Sequence, residues 1–293
     1  MKQKKYAVFT IDVERFADTD CISASGVPVD VDIMDGFEEY LNILDRHGIK
    51  GTLFTVGDFA PKIADRLRHH IANGHALALH SFSHIPPMSV PLEQFRENTR
   101  SAKKRLKELF GVDVVGFRAP CFSMDRTRLN VLRELGFQYD SSHLDFLPAR
   151  HTVKLDLDDF CLLNNGIFCN DGFYEFGLSK EKVFGKPFPI SGGGYVRLTP
   201  WGFIKALISH NIHHNDYYVF YLHPFELTKK KIPVLKELKS YEKYYISRGI
   251  RDYGRRIEKI IMMLKKENYE FVTFEQLVQI MNRDAEAEEL EIG

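Results

Sequence analysis

Two short stretches carry residue types that hold a divalent cation and move protons: TIDVE (10–14), with Asp12 and Glu14, and LALHSFSHIPP (77–87), with His80 and His84. Two imidazoles and one carboxylate leave an open position on a metal ion, where bound water loses a proton near neutral pH. A separation of two puts Asp12 and Glu14 on one face of a strand. A separation of four puts His80 and His84 on one face if the chain turns helically after the preceding apolar run. Alone, the HxxxH spacing more often marks surface or core histidines than ligands. Two neighbouring carboxylates are costly, however, unless a cation relieves one and an arginine the other. Arg118, in GFRAPCF (116–122), is the candidate arginine. His223, in YYVFYLHPFEL (217–227), and Asp140, in YDSSH (139–143), complete the set. A hydrogen-bonded core histidine and a turn or cap are the ordinary readings of those two. Their joint position favours chemistry.

That position follows from the elements. Short β-rich runs alternate with segments of helical periodicity, as in βα units around a parallel sheet. Strands are expected at YAVFTI (6–11), GTLFTV (51–56), HALAL (75–79), DVVGF (113–117), YYVFYL (217–222) and near 269–273. Helices are expected over about 33–47, 61–71, 92–110, 126–135, 200–210, 250–267 and 274–281, several closed by glycine or Asn-Gly. Asp12, Glu14, His80, Arg118, Asp140 and His223 then all fall at or just beyond strand C-termini, where parallel α/β barrels gather their active sites. Between 145 and 198 the periodicity breaks down, and this stretch reads as an insertion or lid over one barrel face. The expected organisation is one catalytic domain over 1–283 and a frayed acidic tail over 284–293.

Composition bounds the partners. The 293 residues suffice for one large core. Acidic and basic residues balance at 40 each, and no basic stripe or reading motif points to nucleic acid. No apolar run reaches the length of a membrane span, and the N-terminal apolar stretch is too short for a signal sequence. The chain therefore reads as soluble and cytoplasmic, with peripheral membrane contact open. Cys21, Cys121, Cys161 and Cys169 form no CxxC pair and read as reduced thiols. The SGGGYVR segment (191–197) lacks the context of a phosphate loop.

Taken in order, TIDVE, HSFSH, FRAP, YDSS, SGGGYVRLTPW and FYLHPFEL resemble the polysaccharide deacetylase family, the NodB-like carbohydrate esterases of family four. The likeness is strongest to the branch associated with exosortase and exopolysaccharide systems. It implies an α/β fold, a distorted (β/α)7 barrel. It also implies one divalent metal, zinc by default with nickel, cobalt or iron acceptable, held by Glu14, His80 and His84. By the same resemblance Asp12 is the catalytic base, Arg118 orients it, and His223 is the general acid. Asp140 would orient or charge His223, and Leu222 would wall the acyl pocket. Phe122 stands where many relatives have tyrosine, leaving a backbone N–H there for the oxyanion. Glu14 is displaced by one from the adjacent Asp-Asp of the commonest pattern. His143 stands near a common tryptophan. Arg197 would reach an anionic part of the substrate.

The implied reaction is hydrolysis of an N-acyl amide, an N-acetyl first, on a nucleotide-linked or lipid-linked sugar in surface polysaccharide biosynthesis. A deformylase or cyclic-amide hydrolase uses the same metal chemistry, and a non-catalytic carbohydrate-binding relative is the reading from another class.

Overall fold

The computed structural model describes residues 4–144 and 155–292. The helical periodicity is realised in α2 (Met34–Arg46), α3 (Ala64–Ala72), α4 (Leu92–Phe110), α5 (Arg126–Glu134), α7 (Trp201–His214), α9 (Tyr253–Lys266) and α10 (Phe274–Ile292), and three short helices not expected from it, α1 (Asp20–Ser25), α6 (Gly193–Leu198) and α8 (Ser240–Ser247), are added. On α2, Phe37, Tyr40, Leu41 and Leu44 are all buried, each contributing about 1.5–3 kcal/mol of apolar transfer. Helix α4 stops at Gly111, whose φ of 69° is a left-handed C-cap.

The strands are β1 (Lys5–Val13), β2 (Thr52–Thr55), β3 (Ala76–Leu79), β4 (Gly116–Phe117), β5 (Tyr139–Asp140), β6 (Cys161–Asn164), β7 (Ile167–Asn170), β8 (Phe173–Phe176), β9 (Lys180–Val183), β10 (Lys186–Pro189), β11 (Tyr217–Leu222) and β12 (Tyr269–Phe271). The order β11-β1-β2-β3-β4-β5-β8 is parallel throughout, giving seven strands of a curled sheet, with β7 and β6 added antiparallel at one end. Strand β12 pairs with the first residues of β1. DVVGF shortens to two residues in β4.

Alternation along β1 and β11 separates two cores. Val8, Phe54, Ala78, Tyr139, Phe176, Tyr217, Val219 and Phe274 pack together inside the curl. Phe9, Ile11, Val13, Phe220 and Leu222 face the larger core formed with the helices. Thr10, Asp12 and Glu14 continue the inner row of Val8.

The expected insertion is part of the wall. Strand β8 is the seventh parallel strand, and the gap between it and β11 is filled by the segment after it. Ser179 Oγ accepts from Val219 N at 2.9 Å, Ser191 O accepts from Tyr221 N at 2.7 Å, and Gly192 bridges Tyr221. A Cβ on Gly192 would lie 2.1 Å from Tyr221 O, so only glycine permits that approach. Residues 145–154 of the expected insertion lie outside the described residues. Helix α10 runs through the acidic tail to Ile292, a stretch rich in the strong helix formers Ala, Glu and Leu. Among the described residues no helix is long and apolar enough to cross a membrane, and the four cysteines are free thiols.

Candidate active site

Beyond the last ladder residue of β1, Glu14 stays buried at 1% exposure. His84 Nε2 lies 2.7 Å from its Oε2, and His80 Nε2 lies 3.8 Å from the same oxygen. That oxygen accepts no hydrogen bond of good geometry. One atom from each residue falls within 4.8 Å of the other two. His80 Nδ1 donates to Arg118 O at 2.8 Å, which leaves the Nε2 lone pair directed at Glu14. Burial pushes His80 down to about 4, so its ring is neutral. Burial acts to raise Glu14, but the neighbouring His84, His223 and His80 outweigh it and hold the carboxyl at about 2. A neutral imidazole whose far nitrogen is anchored, a second imidazole and a buried carboxylate oxygen lacking a donor fit a divalent cation.

The histidines meet without a helix. Residues 81–84 form turns in which Ser81 and His84 take φ of 63° and 57°, folding the rings to a centroid distance of 5.1 Å. Left-handed backbone at non-glycine residues is uncommon, though histidine is among those that adopt it most readily.

A second grouping, Asp45, His70 and His75, also brings three donors together. There Lys50 Nζ sits 2.6 Å from Asp45 Oδ1, His75 Nδ1 accepts from Gly51 N, and His70 Nε2 meets Glu38. A lysine fills the cation's place, so this cluster is a structural tie.

Asp12 Oδ1 accepts from Arg118 NH1 at 2.7 Å. The rest of that fully buried guanidinium is spent on Thr10 Oγ1, Ser141 O and Ser141 Oγ. Asp12 Oδ2 is left facing His223, 3.9 Å from Nε2. Removing one member of such a buried pair costs about 3–5 kcal/mol.

His223 is not served by Asp140. Its Nδ1 donates to Glu226 Oε1 at 3.1 Å, and its backbone N–H meets the same oxygen at 3.2 Å. Glu226 Oε2 in turn accepts from Arg197 Nε at 2.8 Å. The sequence HPFE closes a tight turn after β11, so a carboxylate three residues on reaches back like a capping residue. That spacing was the signal overlooked. Burial acts to lower His223, yet Glu14, Glu226 and Asp12 raise it to about 10.

Three other expectations are corrected by geometry. Asp140 pairs in register with Glu175 of β8, and both carboxyls hold Ser142, whose Oγ accepts from Ala119 N. Arg197 is 1% exposed, and its guanidinium is consumed by Glu226, Tyr245 O and Arg248 O, so it does not reach an anionic substrate. Leu222 points into the helix-side core, because alternation assigns the inner face to Tyr221 and His223. Tyr221 was missed for want of counting back two from His223. Its ring packs on His223 at 5.8 Å and edge-on to Phe122 at 5.5 Å. Phe122 has φ of 53°, and its N–H donates to Ala119 O at 3.0 Å, so that group is engaged and not the expected oxyanion donor.

An open α/β barrel thus gathers a His-His-carboxylate cluster, a carboxylate–arginine pair and a charged histidine at its strand ends, where barrels of this kind collect their functional residues. Residues 27–139 match the polysaccharide deacetylase family model, and residues 164–279 match a domain of unknown function, DUF3473. The chain carries a polysaccharide deacetylase domain of the NodB-like type. A peptidoglycan deacetylase of Helicobacter pylori is 24% identical over 39% of this chain and 39% of its own length. A chitooligosaccharide deacetylase of Azorhizobium caulinodans is 31% identical over 35% of this chain and 50% of its own. The chain thus spans half or less of these curated relatives. The fold is shared with a solved protein assigned as a polysaccharide deacetylase from Mycobacterium smegmatis, with a TM-score of 0.59 and 18% identity over 97% of this chain and 93% of the other. It is shared too with a CE4 family pseudoenzyme from Bacillus anthracis, with a TM-score of 0.54 and 10% identity over 95% of this chain and 66% of the other.

Proposed function

We propose that this protein is a metal-dependent hydrolase that removes an N-acyl group, an N-acetyl first, from a sugar. The observation that carries this reading is the buried Glu14 oxygen facing two imidazole nitrogens, beside a carboxylate whose second oxygen is free. Glu14, His80 and His84 would hold one divalent cation, zinc by default. Such a cation supplies Lewis acidity and an acidified water. Arg118 fixes Asp12 through Oδ1, so that Oδ2 accepts the proton of the attacking water. His223, protonated and oriented by Glu226, gives its proton to the departing amine. Tyr221, packed on His223, and Phe122, edge-on to Tyr221, supply aromatic surface suited to a small acyl group.

The names of the relatives, peptidoglycan and chitooligosaccharide deacetylases, support an N-acetylated hexosamine. A nucleotide-linked or lipid-linked precursor in surface polysaccharide biosynthesis is the substrate we favour. The test combines metal analysis with acetate release from N-acetylated sugars. Wild type should hold one divalent ion, and His84→Ala should lose both ion and activity. Asp12→Asn should lower turnover by about 10²–10⁴ while keeping the ion. Wild-type protein that takes up no zinc, cobalt or nickel would give precedence to a non-catalytic, pseudoenzyme-like reading. Release of formate, or opening of a cyclic amide, in place of acetate release would reassign the substrate on the same machinery.

A further inference from the structure

A cavity of about 820 Å³ lies outside the His-carboxylate centre. It is walled by residues 227–232, which follow the HPFE turn, by residues 247–252 and Gly254 at and beside the α8–α9 connection, and by Glu39 of α2. Five cationic side chains line it: Lys229, Lys230, Lys231, Arg248 and Arg251. Two of them are neutralised, Lys229 by Glu39 at 2.8 Å and Lys230 by Asp32 at 2.9 Å. The acidic Asp252 in the lining pairs with Arg255. Among the described residues, Lys231, Arg248 and Arg251 have no ion-pair partner, so three unbalanced positive charges border one concave space. Surface cations with partners at hand usually find them; here the acids in the lining are already committed.

The connection is held in place from below. Arg197 NH1 donates to Arg248 O, and NH2 to Tyr245 O at 2.7 Å. Gly249 lies so close that a Cβ would sit 2.8 Å from Arg197 Cγ and O. The same Arg197 pairs with Glu226, the partner of His223. The arginine-bearing loop is therefore fastened to the strut that carries the proposed general acid.

We propose that this cavity binds a phosphate or diphosphate group. Two guanidinium forks and an ammonium suit the several oxygens and multiple charge of such a group better than a single carboxylate. The volume lies in the range of small-molecule sites and leaves room for an organic substituent on the phosphate. A nucleotide and a phosphate-linked lipid present this chemistry equally. The inference deepens the reading above by giving the phosphate of a linked sugar a place, but its test needs no turnover and so stands or falls separately.

The experiment is calorimetric titration of the full chain with pyrophosphate and with uridine diphosphate at low salt. Wild type should bind at one saturable site. Arg248→Gln with Arg251→Gln should weaken binding roughly tenfold or more. Lys182→Gln with Lys186→Gln, which removes the same charge from the exposed β9–β10 hairpin, should leave it unchanged. Anion captured at the Glu14–His80–His84 centre would not respond to either pair. Flotation with phosphatidylcholine vesicles containing phosphatidic acid then separates the sources. Vesicle binding lost in the arginine double variant identifies a membrane-borne phosphate, and no vesicle binding identifies a soluble one. Absence of saturable pyrophosphate binding, binding that responds to neither double variant, or equal weakening by both would overturn the proposal.

Discussion

At the scale of single residues, the site is governed by which partner each titratable group finds. His223 is kept charged against the cost of burial by Glu14, Glu226 and Asp12. A cation on Glu14 offsets that carboxylate's share, leaving Glu226 as the main remaining support. An acid catalyst must hold its proton, and the alkaline limb of activity is where His223 loses it. Glu226→Gln lowers the His223 pKa, so the alkaline limb of the kcat profile should move to lower pH, with the acid limb in place. A variant whose limb coincides with wild type would assign the general acid elsewhere. None of this is legible from His223 alone; the information lies in HPFE, whose glutamate three residues on reaches back to the ring, whereas the resemblance implies Asp140.

At the scale of elements, strand alternation and short loops do the positioning. Residues 10, 12 and 14 are turned inward by the same pleat that turns Ile11 and Val13 toward the helices, so the readable period of two placed both carboxylates. Expectation and structure diverge where neither period operates. HSFSH converges by two left-handed residues, and β5 gains its neighbour β8 from a stretch without clear pattern. At that β5–β8 junction, burial raises Asp140 to about 6 and Glu175 well above the ordinary carboxyl range. The unfolded chain loses these protons near pH 4–5, while the folded pair retains protonation to higher pH. Stability therefore falls as pH rises from there toward the folded values. Glu175→Gln keeps an acceptor for Ser142 N and His143 N without a proton to lose. Its melting temperature, followed by calorimetry from about pH 5 to pH 8, should decline less than that of wild type. Parallel curves would mean the pair does not carry this dependence.

At the scale of the whole molecule, the proposed cation would tie β1 to the turn after β3. Ligand that binds only the folded state stabilises it by about 2.7 kcal/mol at a hundredfold excess over Kd. Zinc should therefore raise the melting temperature by several degrees, EDTA should reverse the gain, and His84→Ala should show none. An identical increment in His84→Ala would move the bound ion to another site.

By itself the sequence determined the parallel α/β class and the helices of clear 3.6-residue period, and it singled out Asp12, Glu14, His80 and His84 as candidates, because each is written in local spacing or in motifs of fixed order. Only the tertiary structure decided that the stretch after 154 supplies the seventh parallel strand and closes the wall, since its pairing lies between segments distant in the chain. It alone turned Leu222 outward and Tyr221 inward, took Arg197 from the substrate and gave it to Glu226, and paired Asp140 with Glu175. Burial is the common reason. A side chain's charge and type are local, but which of its neighbours neutralises it depends on what the fold removes from water.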